Sequence, residues 1–486
     1  MAQTTRRQFI RQTTLAAAAL RGAPLTALTP EWGVAEIAEQ NAAPVDAKTM
    51  RKFASAITGS VITPAAPEYE SARQVFNRAF DRRPALIVRC AGASDIAHAL
   101  EFAQRHNLPL ALRGGGHSRA GFGVCDGGVV IDLSRMNQVK VDVSKRVARA
   151  DAGSLVRDMD QATQRFGLAT TMGGCPTVGI AGLTLGGGEG LLMSKYGAAC
   201  DNLLSAQLLT VDGRQVEASQ TSNPDLFWAI RGGGGNFGVV TALEYQLHPV
   251  TGVLAGTLTY APGRIPELLQ AFVKFVAAAP DEMNVVGEVL PTAEGPRFHM
   301  FCCYCGDPQQ GTELLKPLRA LKPQQDNIRV ASYLETQATI NPYAPAAHFQ
   351  TDLFLPQLTA DAIATITTAA NNAPPNTRVF IVALSGAVTR VGASETAFPL
   401  RQPGFEFDIM GRWLDPSGKT SVVEWVKSLR DKLQPFAHGV YVNQLGDTSE
   451  DLVRAAYGSN YARLVEIKKK YDPKNVLRIN QNIQPE

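Results

Sequence analysis

Residues 108–118 read Leu-Pro-Leu-Ala-Leu-Arg-Gly-Gly-Gly-His-Ser, an apolar strand that runs directly into three consecutive glycines and a histidine. Three adjacent glycines cannot pack a core. They can bring backbone N–H groups against an anion, as the concave nests that bind phosphate do. No helix with a suitably placed acidic residue opens on this loop, so it is not the dinucleotide fingerprint of a doubly wound fold. A second loop, residues 173–182, reads Gly-Gly-Cys-Pro-Thr-Val-Gly-Ile-Ala-Gly and is followed by Gly186, Gly187 and Gly188. A third, residues 231–238, reads Arg-Gly-Gly-Gly-Gly-Asn-Phe-Gly. Two of these loops each surround one nucleophilic side chain, His117 and Cys175, with backbone that leaves it unhindered.

The segments around the loops are short. Residues 83–89 read as a strand, and 94–106 as an amphipathic helix capped by Ser94 with Ile96, Leu100 and Ala103 on one face. Further strands are expected at 129–133, 139–143, 204–210, 214–217 and 239–247, with a helix at 155–166 and a turn at Asp212-Gly213. This is an α+β pattern. After Pro249 the glycine runs stop, and helices at 265–278 and 359–371 alternate with strands near 284–290, 297–304, 379–384 and 406–413. A second domain beginning near residue 250 follows, its sheet covered by helices on one face. Residues 460–470 read as a closing helix with Leu464 and Ile467 inward and a basic end, stopped by Asp472-Pro473.

At 486 residues the chain exceeds the size at which one core stops growing, roughly 250–300 residues, so two domains are expected. Lys and Arg number 47 against 44 Asp and Glu, a net charge of +3 with no basic stripe, which removes the electrostatic case for nucleic acid or an anionic membrane. No apolar run reaches the roughly 20 residues of a membrane span. Thr4-Thr5-Arg6-Arg7-Gln8-Phe9-Ile10, followed by an apolar stretch at 14–20, resembles a twin-arginine export signal. Residues 1–43 are therefore expected to address a folded protein to the periplasm or the exterior. The seven cysteines are irregularly spaced and give no disulfide framework. Cys302, Cys303 and Cys305 lie in a strand-like run and read as buried thiols, and no metal is expected.

The glycine loops, taken with Tyr441-Val442-Asn443, the closing helix, Asn475-Val476 and Asn480-Gln481-Asn482-Ile483, resemble the FAD-linked oxidase superfamily with its PCMH-type FAD-binding domain. Within it they are most similar to the berberine bridge enzyme-like family, which includes glucooligosaccharide oxidase-like members. The resemblance is dense over residues 80–250, weak through the middle, and resumes at 436–486. It implies an FAD domain of two α+β subdomains, 80–250, completed by the segment 436–486, and a substrate domain, 251–435, whose antiparallel sheet roofs the flavin. It also implies FAD held by two covalent bonds, His117 to the 8α methyl and Cys175 to C6. Arg113, Gly114, Gly115, Gly116, Ser118, Gly121, Gly174, Val178, Gly179, Gly182, Val239, Asn443, Asn480 and Asn482 stand where the resemblance places further contacts to the cofactor. Imidazole and thiolate can add to an electron-poor ring, and two attachments raise its potential.

The resemblance assigns two further roles, and the chain departs from the family at two positions. Val178 stands at a gate beside flavin C4a, where valine leaves room for oxygen. Tyr441 stands where a catalytic base belongs; with Asn443 it lies in an extended run, 440–444, that points both side chains the same way. A phenol titrates near 10, so the site has to lower that value by positive charge or hydrogen bonds to the phenolate. Glu189 replaces a residue that is often tyrosine, and reads equally as an acid/base or substrate-binding group and as a surface glutamate. Leu400 stands where histidine is common, so the role attached to that position is not expected here. On 405–413 the alternation places Phe405, Phe407 and Ile409 on one face and Glu406, Asp408, Met410 and Arg412 on the other, toward substrate or toward solvent.

Three functions compete: oxidation of a C–OH group of a saccharide or small alcohol with dioxygen as acceptor, oxidation of a phenolic or polyketide-like metabolite with or without ring closure, and flavin binding without turnover. The expected partners are a small-molecule substrate and O2.

Overall fold

The computed structural model describes residues 45–339 and 344–485, and the expected export signal lies outside them. The first sheet has four strands in the order Ser60–Ile62, Leu86–Arg89, Val129–Asp132, Leu110–Arg113. The last three run parallel and the first antiparallel. Leu86, Ile87, Val88, Val129, Val130 and Ile131 are all buried, the continuous apolar texture of strands covered on both faces. The helix expected from Ser94 spans Ala93–Arg105 with Gly92 at its cap. Asp95 explains the shift: its buried carboxylate accepts the N–H groups of Thr58, Gly59 and Ala91, tying the first turn to the preceding chain without a serine cap.

The second sheet is antiparallel, in the order Val139–Asp142, Val147–Asp151, Val239–Gln246, Leu203–Leu209, Gln215–Ser219. Its central strand is entered directly from the third glycine loop, which fixes that loop at the sheet's end. The helix expected at 155–166 spans Val156–Gln164, ended by Gly167 at φ +64°.

The strands of the third sheet lie between Val253 and Trp413, so it begins where the glycine runs stop. Its antiparallel path is Val253–Thr259, Arg297–Tyr304, Met283–Leu290, Thr377–Leu384, Gly404–Trp413, Ala347–Leu355. Helices Ile265–Ala278 and Lys419–Leu433 pack on this sheet and Ala360–Asn371 bridges them. Phe405 meets Phe272, and Gly411 lies against Val422 and Val426, so the odd-numbered face of Gly404–Trp413 is the one the helices cover. Cys302 and Cys303 are free thiols buried in this sheet, and burial pushes Cys302 up to about 12.

The closing helix is Tyr461–Tyr471, and its basic end is not wholly solvated. Lys468 is buried, its Nζ 2.7 Å from Asp472 Oδ2 and donating to the carbonyls of Asn236 and Leu477 at 3.0 and 2.9 Å. The bond from the same ammonium to the Asn236 carbonyl fastens the tail to the third glycine loop.

Candidate active site

The first two glycine loops meet backbone to backbone. A Cβ on Gly115 would lie 2.3 Å from the nitrogen of Gly179, and one on Gly179 would lie 2.3 Å from the nitrogen of Gly115. This close approach sets His117 and Cys175 on one cleft of ≈ 410 Å³. Arg113, Gly114, Gly115, Gly116, Ser118, Gly174, Val178, Gly179, Gly182, Glu189, Val239, Tyr441, Asn443 and Asn480 line it with them. Gly121 does not. It sits at φ +71° with the Phe80 ring 2.3 Å from where a Cβ would stand, so its role is the turn and the packing. Asn482 also lies off the cleft wall, one step beyond Gln481 on the tail.

His117 Nε2 is 2.9 Å from Thr177 Oγ1, and the same hydroxyl is 3.4 Å from Cys175 Sγ. The imidazole stacks on Phe76 with ring centroids 4.0 Å apart. Burial, with Arg119 adding to it, holds His117 down to about 3, so the ring is neutral at any ordinary pH. Arg113 forms a buried pair with Asp132 at 2.8 Å, which holds the strand end beneath the loop, and its Nη1 is buried without a partner.

Tyr441 has extended backbone, but Val442–Gln444 is a 3-10 turn and not the expected extended run. The turn is held from outside: Gln481 donates to the Val442 carbonyl at 3.0 Å, and the Tyr441 N–H is taken by Asp352. Asn443 still reaches Tyr441, its Nδ2 donating to Oη at 2.9 Å, and the Gly188 N–H donates to the same oxygen at 3.0 Å. Burial, followed by the Glu189 carboxyl, raises the phenol well above its usual value against those two donors.

Glu406 and Asp408 are buried, which removes the reading of their strand face as solvated. Asp408 lines the cleft with Arg378, Phe380, Val286 and Val382, and it lies directly opposite Asp352 in the sheet register. Glu189 is not a surface residue: it lines the cleft, with Oε1 buried and lacking a donor. Neither oxygen of Glu406 has a donor either. Burial first, then Glu406, pushes Glu189 and Asp352 well above the carboxylate range. Asp408 rises to about 7, because burial and Glu406 outweigh Arg119 and Arg378. Arg119 Nε donates to Gln444 Oε1 at 3.2 Å, and Arg378 lies 4.3 Å over the Phe380 ring.

Asp408, Arg378, Arg119 and Gln444 were not singled out from the sequence as site residues. The alternation on 405–413 marks the face of Asp408, whereas Arg378 falls before the strand start expected at 379 and carries no sequence signal. Leu400 is buried against Gly439, and the neighbouring Arg401 pairs with Asp201 at 2.7 Å, so this segment packs and does not reach the cleft.

The family model for an FAD binding domain matches residues 84–219, which carry His117 and Cys175, and the berberine and berberine-like model matches 440–484, which carry Tyr441 and Asn443. The FAD-linked oxidoreductase YgaK of Bacillus subtilis is 32% identical over 88% of this chain and 97% of its own. The chain is a berberine bridge enzyme-like FAD-linked oxidoreductase. The (R)-6-hydroxynicotine oxidase of Paenarthrobacter nicotinovorans is 30% identical over 88% of this chain and 97% of its own. The crystal structure of 6-hydroxy-D-nicotine oxidase from Arthrobacter nicotinovorans superposes with a TM-score of 0.82 at 28% identity, covering 88% of this chain and 98% of that one.

The cleft of this berberine bridge enzyme-like protein fits FAD. Nothing lies within 4 Å of a Cβ built on Gly182 or Gly235, so both leave open space at the wall. Arg113 Nη1 and Asn480 Oδ1 are buried polar atoms at the wall without a partner, suited to the polar groups of a dinucleotide. His117 and Cys175 supply two nucleophiles at the same wall.

Proposed function

We propose that this protein oxidises a C–OH group of a saccharide or small alcohol, using FAD bonded to both His117 and Cys175 and passing the electrons to dioxygen as hydrogen peroxide. One observation carries the reading: the two nucleophiles open on a cleft shared with buried carboxyl groups interleaved with Arg378, Arg119 and Gln444. Such a wall offers donors and acceptors side by side, which suits a substrate with several hydroxyls and provides a proton acceptor. Bound there, the flavin supplies a two-electron acceptor. The chain itself has to hold the substrate hydroxyl and take its proton. Asp408, at about 7, is matched to general-base work near neutrality. Tyr441, whose oxygen accepts from Gly188 and Asn443, keeps its own proton and donates it in a hydrogen bond to the substrate oxygen.

The test is a peroxide assay across saccharides, alcohols, phenols and amines. Turnover of saccharides or alcohols supports the reading, and peroxide from none of them overturns it. A second reading has its own support: the 30% identical relative named for (R)-6-hydroxynicotine, since buried carboxylates would also hold an amine. Peroxide from amines alone would select it. Covalent attachment is checked by acid denaturation followed by peptide mass spectrometry, with yellow flavin expected to stay on the chain. Export is checked by changing Arg6 and Arg7 to lysine, which should strand the protein in the cytoplasm.

A further inference from the structure

We infer that Thr177 is a positioning residue for flavin attachment, its hydroxyl joining His117 and Cys175 in one directional hydrogen-bond chain that readies both nucleophiles together. The inference rests on the covalent reading above and goes beyond it by making the two attachments depend on a third side chain.

The geometry is a bridge. Thr177 Oγ1 lies 2.9 Å from His117 Nε2 and 3.4 Å from Cys175 Sγ. The Thr177 carbonyl is where the two loops touch, since a Cβ on Gly115 would stand 3.0 Å from it. The turn that carries Thr177 is closed by the Val178 N–H donating to the Cys175 carbonyl at 3.1 Å. Stacking on Phe76 sets the plane of the imidazole, so the hydroxyl has only to choose its tautomer.

That choice has two outcomes. A neutral imidazole carries one N–H, and a hydroxyl has one proton to give. If Nε2–H donates to Oγ1, the threonine proton is donated onward to a sulfur lone pair; Nδ1 then keeps its lone pair, and the thiol proton, pointed away from the chain, can leave to solvent as the C–S bond forms. If the chain runs the other way, S–H donates to Oγ1, Oγ1–H donates to Nε2, and the ring proton sits on Nδ1. Both nucleophiles are then blocked. One hydroxyl thus couples the readiness of the two groups. Each attachment replaces one hydrogen on nitrogen or sulfur and one on the flavin with a C–N or C–S bond. The two hydrogens, with their two electrons, leave to dioxygen as hydrogen peroxide.

The experiment follows attachment and not turnover. Protein from riboflavin-starved cells is mixed with FAD in air, and intact and peptide masses count the bonds formed with time. The parent should acquire both. Thr177→Val keeps the shape without the hydroxyl; it should still bind FAD but form each bond slower by about tenfold, the weight of one lost hydrogen bond. Thr177→Ala should behave the same way, and Thr177→Ser should return to the parent rate. Valine and alanine variants that form both bonds at the parent rate would overturn the inference, as would a serine variant as slow as they are. A parent that never forms either bond would instead overturn the covalent reading itself.

Discussion

At His117 and Cys175 the sequence signal comes from context: either residue alone is ordinary, and the glycine loops mark them because bare backbone is what a bulky planar ligand needs. His117→Ala or Cys175→Ala should leave one bond and lower the flavin potential, and the double variant should release FAD on denaturation; mass spectrometry and redox titration check this. Asp408 is a different case. Its face is legible from alternation, but its proton affinity is set first by burial and then by Arg119, Glu406, Arg378 and Glu288, which come from separate segments and meet only in the fold. Asp408→Asn should slow flavin reduction by roughly 10² to 10⁴, and Tyr441→Phe by about tenfold, with covalent FAD retained in both. A larger loss in Tyr441→Phe than in Asp408→Asn would return the base role to the tyrosine. Because Asp408 must be deprotonated to act, the parent's reduction rate should rise as pH passes through about 7, and the rise should vanish in Asp408→Asn. Val178 lines the cleft, and Val178→Leu should slow reoxidation of the reduced enzyme in air, measured by stopped flow; an unchanged rate would remove the gate role.

Among the elements, the loop at Gly186, Gly187 and Gly188 and the turn Val442–Gln444 form one unit that periodicity could not reveal. The sequence suggests an extended run at Tyr441 because side chains two apart share a face. A 3-10 turn produces the same meeting of Tyr441 and Asn443 through contacts with Gln481 and Asp352 from far along the chain. Gly187 and Gly188 lie at φ +119° and +91°, where only glycine is comfortable, and a Cβ on Gly186 would stand 2.1 Å from Asn443 Oδ1. Gly186→Ala should therefore displace Asn443 and slow flavin reduction without loss of covalent FAD. The double variant with Asn443→Ala should be no slower than Asn443→Ala alone, since both changes break the same contact; strictly additive losses would show that they act separately.

For the whole molecule, the change of texture near residue 250 was legible because glycine runs and long helices serve different architectures, a ligand cradle and a helix-covered sheet. The burial of acids was not, since Asp160 sits in an amphipathic helix and Asp352 in a strand with nothing to mark either as desolvated. Burial raises Asp160 and Asp408 from 3.8 to about 7. The folded state therefore holds more protons than the unfolded chain between those values, and the stability these groups contribute is complete below about 4 and lost as pH rises through about 7. The melting temperature of the flavin-free protein should fall across that window, and Asp160→Asn should flatten the fall; an unchanged slope would remove Asp160 from the account. The buried pair Lys468 and Asp472 bears on something else, the order of events at the ribosome. The cleft wall takes His117 and Cys175 from the first half of the chain and Tyr441, Asn443 and Asn480 from the last stretch to be translated. A nascent chain that has emerged only as far as the helix-covered sheet lacks the tail side of the cradle, so the geometry predicts that cofactor capture follows translation.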